Sequence, residues 1–409
     1  MMICKTFFLS ALVALQTSVL DVAAFGPPSF ATRQRNAVTS VASTAAPSIP
    51  FFGRGSRVID VSPAPSKKPR LQREYESWMW DYKSENRQKN KSYKVNYRVE
   101  GNEEGRPILL VHGFGANINH FRYNIPALVN AGYRVYAMDL VGFGASEKDY
   151  SAPFSIEFFG QQIHDFIEWQ RERKQIHQKW IIAGNSMGSL SSLAATAQNE
   201  KNQKWATDTV AALLLFNSAG GMTGFRYSDL PIWAHPIMGH VQYYLLNRRF
   251  PHGRFVFETS VRKPVIEAVL TQTGIYQDTR NVNEDLLDLL LQPASDPGAR
   301  DVFLSVYTGP AGPTREELLE KVPNDIPILT LWGDKDPFTP LDEEAQEALK
   351  QAATQKSVFE LQMIPNAGHC LHDEHPAVIN AKSLEFLEKL GLKHGPVSMA
   401  DYWEGKLDD

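Results

Sequence analysis

The chain has 409 residues, 43% of them hydrophobic, and a formal net charge of −4. That length holds one large α/β domain with an insertion and tails, and a mildly acidic balance without a basic stripe gives no basis for nucleic-acid binding. With only Cys4 and Cys370 present, a disulfide within the chain is excluded once the first few residues are removed.

In chain order, Lys5, the apolar run 7–20 and Val22-Ala23-Ala24 read as an n-region, a hydrophobic stretch too short to span a membrane, and an A-x-A-like cleavage site. Residues 1–24 are therefore expected to be a signal peptide. Residues 25–58 contain no acidic side chain and carry Arg33, Arg35, Arg54 and Arg57 among Ser, Thr, Ala and Pro, which is the composition of a plastid transit peptide. Plain secretion is the alternative. The first part of the core is expected over 59–221, beginning with a helical patch at 71–82 that holds Trp78 and Trp80. Strands then read at 93–99, 107–111, 133–139, 180–183 and 210–217, and helices near 121–131, 155–174 and after 188. Such alternation implies a mostly parallel, doubly wound sheet.

The next core strand begins only near Ile326, and an interval of about a hundred residues is too long for a loop in a compact domain. Residues 222–325 are therefore expected to form a helical cap over the carboxyl ends of the strands, where open α/β sheets bind substrates. Its apolar, aromatic stretches 231–234 and 241–246 make Trp233, Tyr243 and Tyr244 candidate substrate contacts, the other reading being a face that seals the cap onto its domain. The core resumes over 326–393 with strands at 326–332 and 358–364, and 394–409 form a tail.

Chemistry concentrates at four strand ends. Gly184-Asn185-Ser186-Met187-Gly188 follows an apolar strand and precedes a small-residue stretch, the setting of a G-x-S-x-G nucleophile elbow, in which only glycine fits on either side of the strained serine. An acyl-transfer serine needs a base and an orienting acid, in the chain order Ser, Asp, His. Strand 326–332 runs into Gly333-Asp334-Lys335-Asp336-Pro337, and strand 358–364 into Pro365-Asn366-Ala367-Gly368-His369. Ser186, Asp336 and His369 are the expected nucleophile, acid and base, with Asp334 close enough to the glycine turn to bond to the loop backbone instead. The N–H of Met187, and that of Phe114 in the early post-strand loop His112-Gly113-Phe114-Gly115, are the expected oxyanion donors.

Two other readings fail on the residues. Gly113-Phe114-Gly115 and Gly142-Phe143-Gly144 each open a dinucleotide fingerprint, but Ile118 and Glu147 stand where its third glycine belongs. The run from His369 to His375 is rich in potential metal ligands, yet it lacks the H-E-x-x-H order, and Asp373, Glu374 and Pro376 are what a helix start prefers. No cofactor or metal is expected.

Together His112-Gly113-Phe114-Gly115, the elbow, Asn217-Ser218-Ala219-Gly220-Gly221 and Ala367-Gly368-His369-Cys370-Leu371-His372-Asp373-Glu374 make the chain resemble the pheophytinase and chlorophyll dephytylase group of α/β-hydrolases, over about residues 107–392. The asparagine before the serine and the GHC-x-HDE run are the more specific parts. Ser189 and Leu371 depart from better-known members, which carry a glycine and a proline there. The resemblance implies a serine esterase that cleaves the phytyl ester of chlorophyll-type pigments, with a small-molecule ester as partner and a peripheral contact with the thylakoid. Alternatives are a plastid lipase or carotenoid esterase, a cofactor-free acyltransferase, and a silent hydrolase scaffold that binds ligand. Ala24-Phe25-Gly26-Pro27 likewise resembles the junction of the bipartite presequence of algae with complex plastids.

Overall fold

Four segments of the chain are apolar without alternation: Pro107–Val111, Trp180–Asn185, Val210–Phe216 and Ile328–Gly333. A strand can be apolar on both faces only where helices cover both, and all four are buried along their whole length as central parallel strands. The computed structural model describes residues 75–83, 90–197, 203–222, 236 and 251–392. The presequence, Trp233, Tyr243 and Tyr244 lie outside them.

The strands are β1 (Glu76–Tyr82), β2 (Lys91–Glu100), β3 (Pro107–Val111), β4 (Arg134–Met138), β5 (Trp180–Asn185), β6 (Val210–Phe216), β7 (Ile328–Gly333) and β8 (Phe359–Ile364). They form one eight-stranded sheet in the order β1-β2-β4-β3-β5-β6-β7-β8. The β1–β2 and β2–β4 pairs are antiparallel and the rest parallel. The expected doubly wound α/β fold is what forms.

The segment expected to be a helical patch near Trp78 is instead strand β1, paired in register with β2 from Glu76↔Tyr97 to Tyr82↔Lys91. Trp78 and Trp80 are spaced by two, the strand period, so both turn inward while Met79 between them is exposed. There Trp78 stacks on Trp169 with centroids 5.4 Å apart, and the Trp80 indole N–H donates to Asp165 over 2.9 Å. Aromatic side chains paired at period two carry the strand even though residues such as Glu76, Ser77 and Asp81 give it little β propensity.

Helices α1 (Asn124–Asn130), α2 (Ile156–Lys174), α3 (Met187–Thr196) and α4 (Gln203–Thr209) connect the first strands. The described part of the interval between β6 and β7 is helical: α5 (Pro251–Ser260), α6 (Lys263–Gln272), α7 (Glu284–Ala294), α8 (Ala299–Tyr307) and α9 (Arg315–Lys321). Beyond β7 come α10 (Glu343–Ala352), the single turn α11 (Leu371–Glu374) and α12 (Pro376–Lys389).

One face of the sheet packs on α2 and α3 through Ile163, Phe166, Leu190 and Leu193, the other on α1 and α12 through Ile125, Leu128, Ile379 and Phe386. The insertion holds a third, smaller apolar cluster in which Val265, Leu270, Tyr276 and Leu286 gather around Cys370. No helix among the described residues is long and apolar enough to cross a membrane.

Candidate active site

At the end of β5 the chain reverses into α3 within one residue. Ser186 takes φ 56° and ψ −119°, a conformation that costs about 1–3 kcal/mol. The flanking glycines let the turn close: a Cβ on Gly184 would lie 2.5 Å from the Gly188 carbonyl carbon, and one on Gly188 would lie 2.1 Å from the Val111 carbonyl oxygen. The strain presents the serine side chain above the sheet, at the N-terminus of α3. The N–H of Met187, the first residue of that helix, has no acceptor within the helix.

The loop after β3 lies directly against the elbow, since a Cβ on Gly113 would come within 3.1 Å of the Ser186 Cβ. Buried His112 fixes this loop. Its Nδ1 is 2.8 Å from the Gly113 carbonyl, and its Nε2 accepts the Leu140 N–H over 3.0 Å. Only the neutral tautomer with the proton on Nδ1 satisfies both, and burial lowers the ring's pKa. Asp139 ties the same region together, accepting from the N–H of Ile118 at 2.9 Å, the N–H of Ala145 at 2.8 Å and the side chain of Asn96 at 2.7 Å. The second Gly-Phe-Gly turn is thus a buttress built around a carboxylate, where a phosphate would be repelled.

Asp336 and His369 come from the loops after β7 and β8. The Nδ1–H of His369 donates to Asp336 Oδ2 over 2.8 Å, which leaves Nε2 to accept a proton. Asp336 also accepts the N–H groups of Phe338 at 2.8 Å and Thr339 at 3.1 Å on Oδ1, and the Thr339 hydroxyl on Oδ2. Burial raises its pKa, but His369 and the Thr339 bonds outweigh that and hold the carboxyl below its ordinary value. Asp334 is at the surface, 3.8 Å from the Lys335 ammonium. The structure therefore brings Asp336, and not Asp334, to the histidine.

Arg122, Tyr276 and His120, which have no role in the sequence reading, and Asp373 and Glu374, read there as the start of a helix, support this arrangement. Behind the histidine loop, the Arg122 guanidinium grips Asp373 through bonds of 2.8 and 3.1 Å, the Tyr276 hydroxyl donates to the same carboxylate over 3.0 Å, and His120 reaches that hydroxyl at 3.0 Å. Glu374 accepts the N–H groups of Gly368, Gln277 and Asp278 at 2.7, 2.8 and 2.7 Å. Arg122 and Asp373 are 251 positions apart, so no local pattern could announce the pair. Burial pushes the Cys370 thiol well above its ordinary pKa, which makes it a filler of the insertion's core and no second nucleophile.

Against the loop after β3 stands a wall of rings. Phe114 lies 4.8 Å from Phe303 and 5.6 Å from Phe143, Phe303 stacks on Tyr307 at 6.2 Å, and Phe257 closes on Phe303 at 5.5 Å. Phe303 and Tyr307 are four residues apart on α8, so that one face of the helix carries both. That spacing was readable in the sequence.

Residues 106–376 match the family model described as alpha/beta hydrolase fold. Over 281 residues the chain is 26% identical to "Lipase 1" of Psychrobacter immobilis, covering 68% of this chain and 75% of that protein. It is 24% identical to "Epoxide hydrolase 3" of Xenopus tropicalis, covering 75% and 78%. Among solved structures, an esterase from Thermogutta terrifontis superposes with a TM-score of 0.54 at 19% identity, covering 77% of this chain and 99% of that one. A bromoperoxidase from Bacillus anthracis gives 0.53 at 21%, covering 73% and 96%. At those identities the structural likeness shows the fold alone.

Proposed function

Because the chain belongs to the alpha/beta hydrolase family and is a serine hydrolase of carboxylic esters, we propose that its substrate is the phytyl ester of a chlorophyll-type pigment. The ester chemistry is carried by one observation, the 2.8 Å bond from His369 Nδ1 to Asp336 beside the strained Ser186. In the first step His369 Nε2 takes the Ser186 proton as Oγ attacks the ester carbonyl. The tetrahedral oxyanion is received by the N–H groups of Phe114 and Met187. His369 then returns the proton to the departing alcohol, and a water deprotonated by the same histidine releases the acid. Aspartate-nucleophile chemistry does not suit a serine at position 186.

Three features support the pigment ester. The GHC-x-HDE run and the asparagine before the serine resemble the pheophytinase group, and both serve the histidine loop in this fold. The rings of Phe114, Phe257, Phe303 and Tyr307 offer an apolar wall beside the nucleophile for a long prenyl alcohol. The acid-poor, arginine-bearing presequence supports residence in a plastid. The lipase relative favours a second reading, in which a glycerolipid ester is the substrate.

The test is one assay of pheophytin, chlorophyll, a galactolipid and a carotenoid ester with the wild type and Ser186→Ala. Release of phytol, lost in Ser186→Ala, is expected. Turnover of the lipid or carotenoid ester alone would reject the pigment reading and leave the serine mechanism standing.

A further inference from the structure

Asn217 follows β6 and sits in the left-handed region with φ 43°, where asparagine is among the few side chains tolerated. It is completely buried. Its backbone N–H donates to the Leu331 carbonyl over 3.0 Å, which registers it against β7. Its side chain makes three further bonds. Oδ1 accepts the Gly333 N–H over 2.8 Å, and Nδ2 donates to the carbonyls of Gly368 at 2.7 Å and His369 at 2.8 Å. The amide has one possible orientation, because an N–H can only donate and carbonyls can only accept.

These contacts complete the histidine's backbone. The Gly368 N–H goes to Glu374 over 2.7 Å, the His369 N–H to the Ile275 carbonyl over 2.8 Å, and Asn185 adds a second donor to the His369 carbonyl at 3.2 Å. All four backbone polar groups of Gly368 and His369 are therefore engaged, and among the described residues Asn217 is the one side chain that reaches both carbonyls. It also holds the other loop: Gly333 begins the turn to Asp336, whose N–H donates to the Gly333 carbonyl over 3.2 Å. The two loops touch there, since a Cβ on Gly333 would lie 2.3 Å from the Gly368 oxygen.

We propose that Asn217 is a positioning residue for the acid and base together, its single carboxamide fixing the Asp336 loop and the His369 loop to the strand beside the nucleophile. The proposal rests on the serine mechanism above and assigns the residue no contact with substrate. Aspartate has the wrong donor count and glutamine the wrong length, so neither can replace it. A displacement of about 1 Å in a reacting group can cost about a hundredfold in rate, and loss of the two donated bonds frees the base loop to move on that scale.

The test compares wild type with Asn217→Asp, which keeps an acceptor for Gly333 and removes the donors, and with Asn217→Gly, which suits the backbone and removes the whole amide. A fluorophosphonate counts reactive Ser186 sites, and turnover of a soluble ester is expressed per labelled site. Expected are labelling that is slower than in the wild type but complete on long incubation, a fall of about a hundredfold in kcat per site and a KM little changed. For Asn217→Asp, the ratio of variant to wild-type rate should rise toward acid pH, because a protonated carboxyl regains one donor. The titratable neighbours Asp336, His369, Glu374 and Arg315 face the new carboxyl, and Asn217→Gly, which adds no charge beside them, should show no such rise.

Folded variants with wild-type kcat per site would overturn the proposal. Loss of the fold in both would make Asn217 structural and overturn it as well. An unlabelled Ser186 in the wild type would sink the serine mechanism itself, and the proposal with it.

Discussion

Replacing Asp336 with asparagine exchanges one oxygen for a nitrogen, and the surroundings dictate which one. Oδ1 accepts two backbone N–H groups, from Phe338 and Thr339. An amide nitrogen placed there would leave both donors buried without an acceptor, at about 1–3 kcal/mol each. The new NH2 must therefore occupy the Oδ2 position, 2.8 Å from His369 Nδ1. Being a donor, it requires a bare Nδ1, so the imidazole proton moves to Nε2, the nitrogen that has to accept from Ser186. The base is then present, well placed and in the wrong tautomer. The expected loss is about four decades of turnover, or about 5 kcal/mol in activation free energy.

Ester hydrolysis by Asp336→Asn and Asp334→Asn, with melting curves for both, measures this. Asp334→Asn should stay near wild type, because an exposed carboxylate beside Lys335 contributes about 0–1 kcal/mol. If Asp336→Asn kept more than about a tenth of the wild-type turnover, or if the two variants lost activity equally, the tautomer argument would be wrong.

Two further expectations concern the polar cluster behind the histidine loop. Arg122→Leu leaves the Asp373 carboxylate buried with Tyr276 as its main side-chain donor, so urea unfolding should show a loss of about 3–5 kcal/mol, and a loss below about 1 kcal/mol would contradict the pairing. Burial holds the pKa of His120 down to about 4, against the pull of Asp373, from an ordinary value of 6.5. An unfolded chain takes up a proton below pH 6.5 that the folded chain refuses. The stability His120 contributes is thus fully present above 6.5 and lost as pH falls toward 4, about 3 kcal/mol in all. Urea midpoints compared at pH 7 and pH 4.5 should therefore fall less in His120→Phe than in the wild type, and parallel declines would refute the assignment.

How far the sequence announced all this depends on the range of the interaction. Central strands such as Pro107–Val111 were readable because burial on both faces leaves an unbroken apolar run. The elbow, the acid loop and the base loop were readable because each follows such a strand within a few residues. Strand β1 was misread since its charged and hydroxyl residues mask the alternation of Trp78, Trp80 and Tyr82. Arg122 escaped altogether, and Asn217 and Glu374 were legible only as parts of stretches that carry a resemblance, because their partners are set by the topology and an arginine, asparagine or glutamate in a loop has many ordinary uses.

Insertions between core strands are natural units for exchange among related enzymes, and the joint between Ile275 and the histidine loop limits that freedom here. The segment from Ile275 to Asn283 supplies the carbonyl that takes the His369 N–H, the hydroxyl and amide that meet Asp373, and the two N–H groups that meet Glu374. A graft cut at the chain boundaries of the insertion would bring foreign groups against Asp373, Glu374 and the base. The transferable module is discontinuous in sequence: it comprises the insertion, Arg122, and the run from Gly368 to Glu374, and a chimera that keeps these together should retain its base in place while its specificity changes.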